Sequence, residues 1–328
     1  MTTPAVDTSA DTSATTEAIT ETATASASAP TVPVTLGART VEVPAGGLYD
    51  RFRMNTDLDV VAADPRVPGV DFFRSLTKTH VDSPVGPTWT PNFYYAASVT
   101  RLVMLAPTAR LRARLPRELD PLEVVPGLGV FSVMFFRYDV ADIDFYTEVA
   151  TGIAVKPVRH GGLGAVDLVA ALKNDHPHSY VLSLPVSTDI AQVRGHDGYG
   201  FPKWVAPIEV DVTAERATAR ARNDNGGLDL AFTAPTPPQR AFRPLERVST
   251  LTSYTRIGGN WHSTLNQTHA LAAGSRMLPR DVELRLGSGR LSDDIRSVAP
   301  RRILRLDVTS KAQIALHMPV PTSVDTTV

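Results

Sequence analysis

The chain has 328 residues, a formal charge of −1 and 43% hydrophobic residues, so it can form one large or two modest domains with a sizeable core. Interspersed charges provide no basic field for nucleic acid, and no apolar run approaches the roughly 18 residues of a membrane-spanning helix. The absence of cysteine excludes disulfides, thiolate nucleophiles and cysteine-ligated metals. We expect a cytoplasmic protein with neither nucleic-acid nor membrane partners.

The ends of the chain differ in composition from its middle. Residues 1–35 are mostly Thr, Ala, Ser, Glu, Asp, Val and Pro, which predicts a disordered tail because the segment buries too little apolar surface to offset chain entropy. It has no positive region followed by an apolar one, so we do not expect a signal peptide. Aromatic and aliphatic residues return at 36–87, which predicts an ordered extension. The main domain is expected at 88–322, with a short tail at 323–328.

The main domain is predicted to be mostly β. Apolar runs or alternating patterns indicate strands at residues 130–140, 179–186, 208–212, 217–222, 228–232, 282–286 and 303–308. A cluster of Asn, Asp and Gly at 223–227 is a strong turn signal between two of these strands and indicates an antiparallel pair. Helices are expected at 108–115, 166–173 and 291–298. The fold class is therefore α+β, organised around an antiparallel sheet or barrel.

Lys203 carries the strongest chemical signal. It is one of five lysines, against twenty-eight arginines, and lies in the segment GYGFPKW at residues 198–204. Apolar and aromatic neighbours would remove water from the amine and disfavour its charged form, and a neutral amine can attack a carbonyl carbon. A lysine beside a tryptophan can instead bury its methylene stem and leave its head in water. The residues alone are compatible with both interpretations, a reactive buried amine and a lysine with its ammonium in water.

Two segments resemble the acetoacetate decarboxylase family. Gly200-Phe201-Pro202-Lys203, preceded by a Gly-His-Asp turn, is similar to the family's lysine motif, and Tyr146-Thr147-Glu148 is similar to its Tyr-x-Glu segment. The order and spacing agree, and similarity extends over about residues 90–320. The resemblance implies a barrel-like sheet with the lysine inside, a Schiff base on that lysine and assembly as a homo-oligomer.

The resemblance also implies the site residues. Lys203 and Glu148 are expected to be catalytic, and Tyr146, Phe201 and Trp204 to contact a small keto substrate. The family places polar residues near His196, which could line the site and shuttle protons; a turn residue bonded to the backbone is the alternative.

The chain departs from the family at several positions. Ungapped placement puts Ala97 where the family has an arginine and Val133 where it has a second acidic residue. Arg101 lies close enough to substitute for that arginine if the register shifts. Trp204 stands where a second lysine is common, and Phe201 where a tyrosine is common. These changes predict a more apolar pocket and a substrate larger or less anionic than acetoacetate.

Other motifs carry weaker signals. His176 and His178 have a spacing that could chelate a metal, but Pro177 interrupts regular structure and no third ligand is visible, so a solvated loop is expected. The glycines at 161–164 lack the spacing of a nucleotide-binding motif and predict a loop. We expect no metal and no cofactor.

The expected function is that of a Schiff-base-forming lyase in a biosynthetic or degradative pathway. Decarboxylation of a β-keto acid through a Lys203 imine and an enamine is the leading hypothesis. The same imine could support aldolase, dehydratase or cyclase chemistry without loss of carbon dioxide. A third hypothesis is a carrier that binds an apolar ligand without reacting.

Overall fold

The computed structural model describes residues 30–156 and 176–323. The tail predicted before residue 30, the helix at 166–173, the glycine loop at 161–164 and residues 324–328 lie outside this part. The strands are β1 (Thr31–Leu36), β2 (Arg39–Pro44), β3 (Thr79–Val81), β4 (Thr88–Thr90), β5 (Asn92–Pro107), β6 (Glu123–Val125), β7 (Leu128–Ala141), β8 (Tyr146–Ala154), β9 (His178–Ser183), β10 (Ile208–Val212), β11 (Arg216–Arg222), β12 (Leu228–Pro235), β13 (Arg240–Ala241), β14 (Val248–Ile257), β15 (Asn260–Met277), β16 (Glu283–Leu286), β17 (Arg302–Leu316) and β18 (Val320–Pro321).

Helices are short. They are α1 (Leu48–Phe52), α2 (Leu58–Ala62), α3 (Asp71–Arg74), α4 (Thr108–Arg112), α5 (Asp189–Val193) and α6 (Arg290–Val298), and a π-helical turn at Arg194–Gly198 continues α5. Within the described residues, none of these helices has the length and apolar character to cross a membrane.

Seven strands close into a barrel. Their order is β15-β14-β9-β8-β7-β5-β17, and β17 pairs with β15 to complete the ring. The β9–β14 pair is parallel, and the other six pairs around the ring are antiparallel. The predicted α+β fold with an antiparallel barrel-like core is therefore confirmed. A second sheet, β10-β11-β12-β16, contains the hairpin predicted from the turn at 223–227.

The predicted strands all occur, with boundaries that differ by a few residues, and the predicted helices near 108 and 291 are present as α4 and α6. The long strands β14 and β15 were not expected. Their sequences are rich in Ser, Thr, Asn and Gln, so they lack the apolar alternation by which a strand is recognised.

The barrel wall presents two apolar faces because successive side chains of a strand point in opposite directions. Phe131, Val133 and Phe135 of β7 face the core shared with the second sheet, where Phe135 stacks on Phe232 with ring centroids 4.7 Å apart. Val133, which ungapped placement puts at the family's second acidic position, therefore lies on the sheet face opposite to Glu148.

The N-terminal extension covers that other face. Buried side chains of β1, β2 and α1 join one cluster with barrel residues and with α5. Because β1 begins at Thr31, residues 31–35 belong to this ordered layer, and the tail boundary predicted at residue 35 is too late. Their alternating burial explains the difference: Val34 and Leu36 point inward from a segment whose overall composition resembles the tail. The division at residue 87 stays a prediction.

Asp142 ties the extension to the barrel. Its carboxylate is fully buried and accepts hydrogen bonds from the Thr56 hydroxyl at 2.7 Å and the Lys78 ammonium at 2.6 Å on the extension side. On the barrel side it accepts the Tyr95 hydroxyl and the Phe93 N–H, each at 2.7 Å. Burial lowers the pKa of Lys78, and the Asp142 carboxylate opposes that shift.

Asp142→Asn should destabilise the fold by about 3–5 kcal/mol at neutral pH, because it leaves Lys78 as a buried cation without a counter-ion. The folded-state pKa of Lys78 would then lie still further below 10.5, so the unfolded chain binds more protons and the deficit should shrink as the pH rises toward that value. Urea unfolding at several pH values measures this.

The matched control is Arg285→Met, which breaks an exposed contact of 3.8 Å with Glu283 and should cost at most about 1 kcal/mol. An equal loss in the two variants would contradict the anchoring role of Asp142.

Candidate active site

Backbone pairing brings the lysine segment beside strand β8. Val186 forms an antiparallel bridge with Glu148 and a parallel bridge with Val205. Its N–H donates to the Trp204 carbonyl at 2.9 Å, and its own carbonyl accepts the Ala206 N–H at 2.9 Å. One residue therefore separates the lysine segment from Glu148, which fixes the distance between the two side chains.

Lys203 and Glu148 form a buried pair. The Lys203 Nζ donates to Glu148 Oε2 at 2.5 Å, and the two side chains are 6% and 7% exposed. The Tyr138 hydroxyl donates to the other oxygen, Oε1, at 3.3 Å. The Tyr146 ring centroid lies 5.7 Å from Nζ, which is within range of a cation–π contact. An amine, a carboxyl group and a phenol are thus held together away from water.

Three tyrosines form the polar wall of this site. The rings of Tyr94, Tyr138 and Tyr146 pack against one another, and the Tyr146 hydroxyl donates to the Tyr94 oxygen at 3.0 Å. Burial raises the pKa of Tyr138 and of Tyr146 well above the usual range, and the charge of Glu148 adds to both shifts. These phenols stay protonated and act as hydrogen-bond donors, while Glu148 can accept a proton.

Gly195 leaves space for the Lys203 side chain. Gly195 lies in the π-helical turn, and a Cβ at this position would sit 2.3 Å from Lys203 Cδ and 3.1 Å from Nζ. Gly200 has φ +71° and approaches the Arg256 carbonyl, so a side chain is excluded there too. The turn before the lysine is therefore shaped by two residues without side chains.

The structure brings together some of the residues expected at the site. Tyr146 lies beside Lys203 as expected, and the carbonyl of Phe201 accepts the Lys203 N–H at 2.8 Å. The ring of Phe201 packs with Tyr199 in a small separate cluster.

Trp204 and His196 lie away from the pair. Trp204 packs against the core of the opposite sheet face, with the Arg290 guanidinium 4.3 Å from its ring centroid. His196 is 54% exposed, and its Nδ1 pairs with Asp197 at 2.7 Å. Both residues are close to Lys203 along the chain, but Trp204 follows it in an extended segment, where adjacent side chains face opposite ways. His196 lies on the exposed side of the π-helical turn.

Arg101 has a partner of its own. Pairing across β5, β7 and β8 puts it on the same sheet face as Glu148, two strands away. Its guanidinium binds Asp307 at 2.8 and 3.1 Å. Burial of Asp307 opposes ionisation, but Arg101, Ser275 and Arg305 outweigh it and lower the pKa of that carboxyl. This pair joins β5 to β17, and Ala97 occupies the buried position next to the tyrosines.

Four residues of the site were missed by the sequence analysis: Tyr94, Tyr138, Arg194 and Gly195. Tyr138 could have been found from strand pairing, because it lies opposite Tyr146 on the next strand. Gly195 and Arg194 directly precede His196, and Arg194 follows the apolar helix α5, where a charged side chain is unexpected. Arg194 is 4% exposed.

His176 and His178 bind neighbouring hydroxyls. His176 Nε2 contacts Thr252 at 2.8 Å, and His178 Nδ1 contacts Tyr254 at 2.8 Å. In the described part of the chain, no group of three potential metal ligands occurs. A surface cleft of about 630 Å³ lies between Arg137, Arg220 and neighbouring strands, and Lys203 does not line it. The buried pair, and not the cleft, concentrates the groups capable of chemistry.

Comparison with solved structures shows a shared fold. A structure from structural studies of acetoacetate decarboxylase superposes with a TM-score of 0.51 at 12% identity, covering 72% of this chain and 91% of that one. Acetoacetate decarboxylase from Legionella pneumophila subsp. pneumophila str. Philadelphia 1 gives 0.50 at 14% identity, covering 80% and 95%. The enduracididine biosynthesis enzyme MppR complexed with pyruvate gives 0.51 at 14% identity, covering 72% and 91%.

No curated protein matches the chain in sequence. The model of the family described as acetoacetate decarboxylase matches residues 82–312, more than two thirds of the chain and including both Glu148 and Lys203. At these identities the solved structures establish the fold alone, and the family match supplies the relationship. The chain belongs to the acetoacetate decarboxylase family.

Proposed function

We propose that the protein is a Schiff-base-forming lyase in which Lys203 condenses with the ketone of a small keto substrate. The observation that carries this proposal is the contact of 2.5 Å between Lys203 Nζ and Glu148 Oε2, with both side chains buried. A lysine used for packing alone would leave its ammonium in water. This ammonium is removed from solvent and bound to a group that can take its proton.

Glu148 moves protons during imine formation. It accepts one proton from Lys203, and the neutral amine attacks the ketone carbon to give a carbinolamine. Glu148 then returns a proton to the carbinolamine hydroxyl, which leaves as water and produces a protonated imine. The Tyr138 hydroxyl, 3.3 Å from the carboxyl group, holds Glu148 in place during these transfers.

Decarboxylation follows if a carboxylate lies β to the imine carbon. The bond to the carboxylate breaks, its electron pair moves toward the iminium nitrogen, carbon dioxide leaves and an enamine remains. Protonation of the enamine carbon and hydrolysis release a ketone and restore Lys203. Burial of the site supports this step, because the exclusion of water disfavours the charged carboxylate more than neutral carbon dioxide.

Condensation without loss of carbon dioxide is the second candidate. A structure of MppR contains the condensation product of pyruvate and imidazole 4-carboxaldehyde, and it shares this fold with a TM-score of 0.51. Ungapped placement puts Ala97 at the position of the family arginine, where it would leave the carboxylate without the support that decarboxylation would use. The same iminium also acidifies an α-proton, so an enamine could add to an aldehyde.

Sodium borohydride should trap the proposed imine. After incubation with acetoacetate, pyruvate or 4-oxopentanoate, reduction should add the mass of one dehydrated adduct, and peptide mapping should place it on Lys203. Lys203→Met should lose the adduct, while Lys311→Met, at an exposed lysine, should keep it. A folded enzyme that turns over substrate yet carries no adduct would refute the covalent mechanism, and an apolar carrier would bind ligands without any adduct.

Release of carbon dioxide separates the two candidate reactions. Each keto acid that is trapped on Lys203 should be incubated without borohydride, alone and with an added aldehyde, and the gas and products measured. We expect stoichiometric carbon dioxide and the shortened ketone from a β-keto acid. A product that contains both the aldehyde carbons and the intact carboxylate would instead assign the condensation reaction.

Gly195→Ala should reduce adduct formation by at least about tenfold, because the added methyl group would displace the lysine from Glu148 and from its reactive geometry. Gly152→Ala is the matched control: it lies on β8, and its added Cβ meets its nearest atom at 3.4 Å, an ordinary contact. Initial rates of borohydride trapping measure the effect. Equal rates in the two variants would show that the alignment of Lys203 with Glu148 does not limit the reaction.

A further inference from the structure

Arg194 is a buried cation without a counter-ion. Four other charged residues are buried in the described part of the chain, and each has its charge compensated: Asp142 by Lys78, Glu148 and Lys203 by each other, and Asp229 by two N–H groups at the start of α6. No carboxylate of the described residues forms an ion pair with Arg194. A guanidinium held this way costs free energy, which suggests that an anion completes the site.

One N–H group of the Arg194 guanidinium is free to donate a hydrogen bond. Its Nη1 donates to the Thr88 hydroxyl at 3.2 Å, which aims the side chain, but its buried Nε has no hydrogen-bond partner. The Tyr199 hydroxyl is also buried, and no group of the described residues accepts its proton. Burial raises the pKa of Tyr199 to about 12, and the Arg194 charge opposes the rise, which places the hydroxyl beside the guanidinium.

Arg194 lies close to the reactive pair. The next residue along the chain is Gly195, against which the Lys203 side chain packs. Both the Glu148 and the Arg194 charges act on Tyr94, which accepts a hydrogen bond from Tyr146 beside the lysine. Tyr94 therefore lies within electrostatic reach of both the Glu148 carboxylate and the Arg194 guanidinium.

We propose that Arg194 and Tyr199 bind the carboxylate of the substrate while its ketone reacts at Lys203. This proposal rests on the function proposed above and narrows its substrate class to keto acids. A carboxylate suits the place because its two oxygens can accept the Nε–H and the Tyr199 O–H together, and the bond is charge-assisted. The π-helical turn runs from Arg194 to Gly198. This one short segment therefore positions the Arg194 guanidinium and, through Gly195, leaves space for the Lys203 side chain.

Matched keto acids and their methyl esters test the assignment. Pyruvate, acetoacetate and 4-oxopentanoate differ in the spacing between ketone and carboxylate, and each ester keeps the ketone but removes the charge. Arg194→Met should raise the half-saturating concentration for borohydride trapping of at least one acid by about 10- to 100-fold, and that of its ester by less than about threefold. Equal changes for acid and ester, or no change, would overturn the proposal.

A second variant covers the case in which Arg194→Met fails to fold. Tyr199→Phe removes one donor and keeps the ring, so it should weaken trapping of the same acid by about three- to tenfold and leave the ester unaffected. An unaltered ratio of acid to ester in this variant would count against the site.

Butanoate separates this proposal from the imine chemistry. It carries a carboxylate but no ketone, so it binds without reacting, and its effect does not depend on Lys203 acting as a nucleophile. Butanoate should raise the Tm of the native protein and leave that of Arg194→Met unchanged. An equal rise in both proteins would exclude Arg194 as the anion site, even if Lys203 forms imines. Failure of trapping with a butanoate shift that depends on Arg194 would overturn only the lyase function.

Discussion

The structure depends on holding an ammonium and a carboxylate together where water is excluded. Removing two charges from water costs several kcal/mol each, and their attraction offsets that cost only when the geometry is good. Here the geometry comes from the backbone: the bridges from Glu148 to Val186 and from Val186 to Val205 set the separation of the two side chains before any side chain is placed. The barrel therefore serves as a rigid frame for one short contact.

The N-terminal extension completes that frame. It covers the sheet face that carries the site, and Asp142 joins it to the barrel through four hydrogen bonds. Thr88, which directly follows the extension, accepts a hydrogen bond from Arg194. Most of the extension precedes residues 82–312, which the family model matches. Excluding water there strengthens every charge interaction beneath it.

Local patterns predicted the β architecture well, because alternation and turn residues record which face of a strand is buried. They failed for β14 and β15, because the Ser- and Thr-rich sequences of these strands place polar residues on both faces and show no alternation of apolar and polar residues. Lys203 and Glu148 came from motif resemblance. His196 and Trp204 were misplaced because closeness along the chain does not fix direction. Arg194 could not be identified, since its burial results from tertiary packing of α5, β4 and the tyrosines.

In a site that orients a carboxylate, the position of the cation matters more than the strand or helix that carries it. Ungapped placement puts Ala97 at the position of the family arginine, and Ala97 is buried opposite Tyr138 on the neighbouring strand. Arg194, at the start of the π-helical turn, places a cation within electrostatic reach of Tyr94 from a different element. Since a carboxylate must be oriented for the bond beside the imine to break, a displaced cation implies a substrate that enters in a different orientation or with a different spacing between its ketone and its carboxylate. Under the proposed function, the imine chemistry at Lys203 is then retained while the choice of keto acid changes.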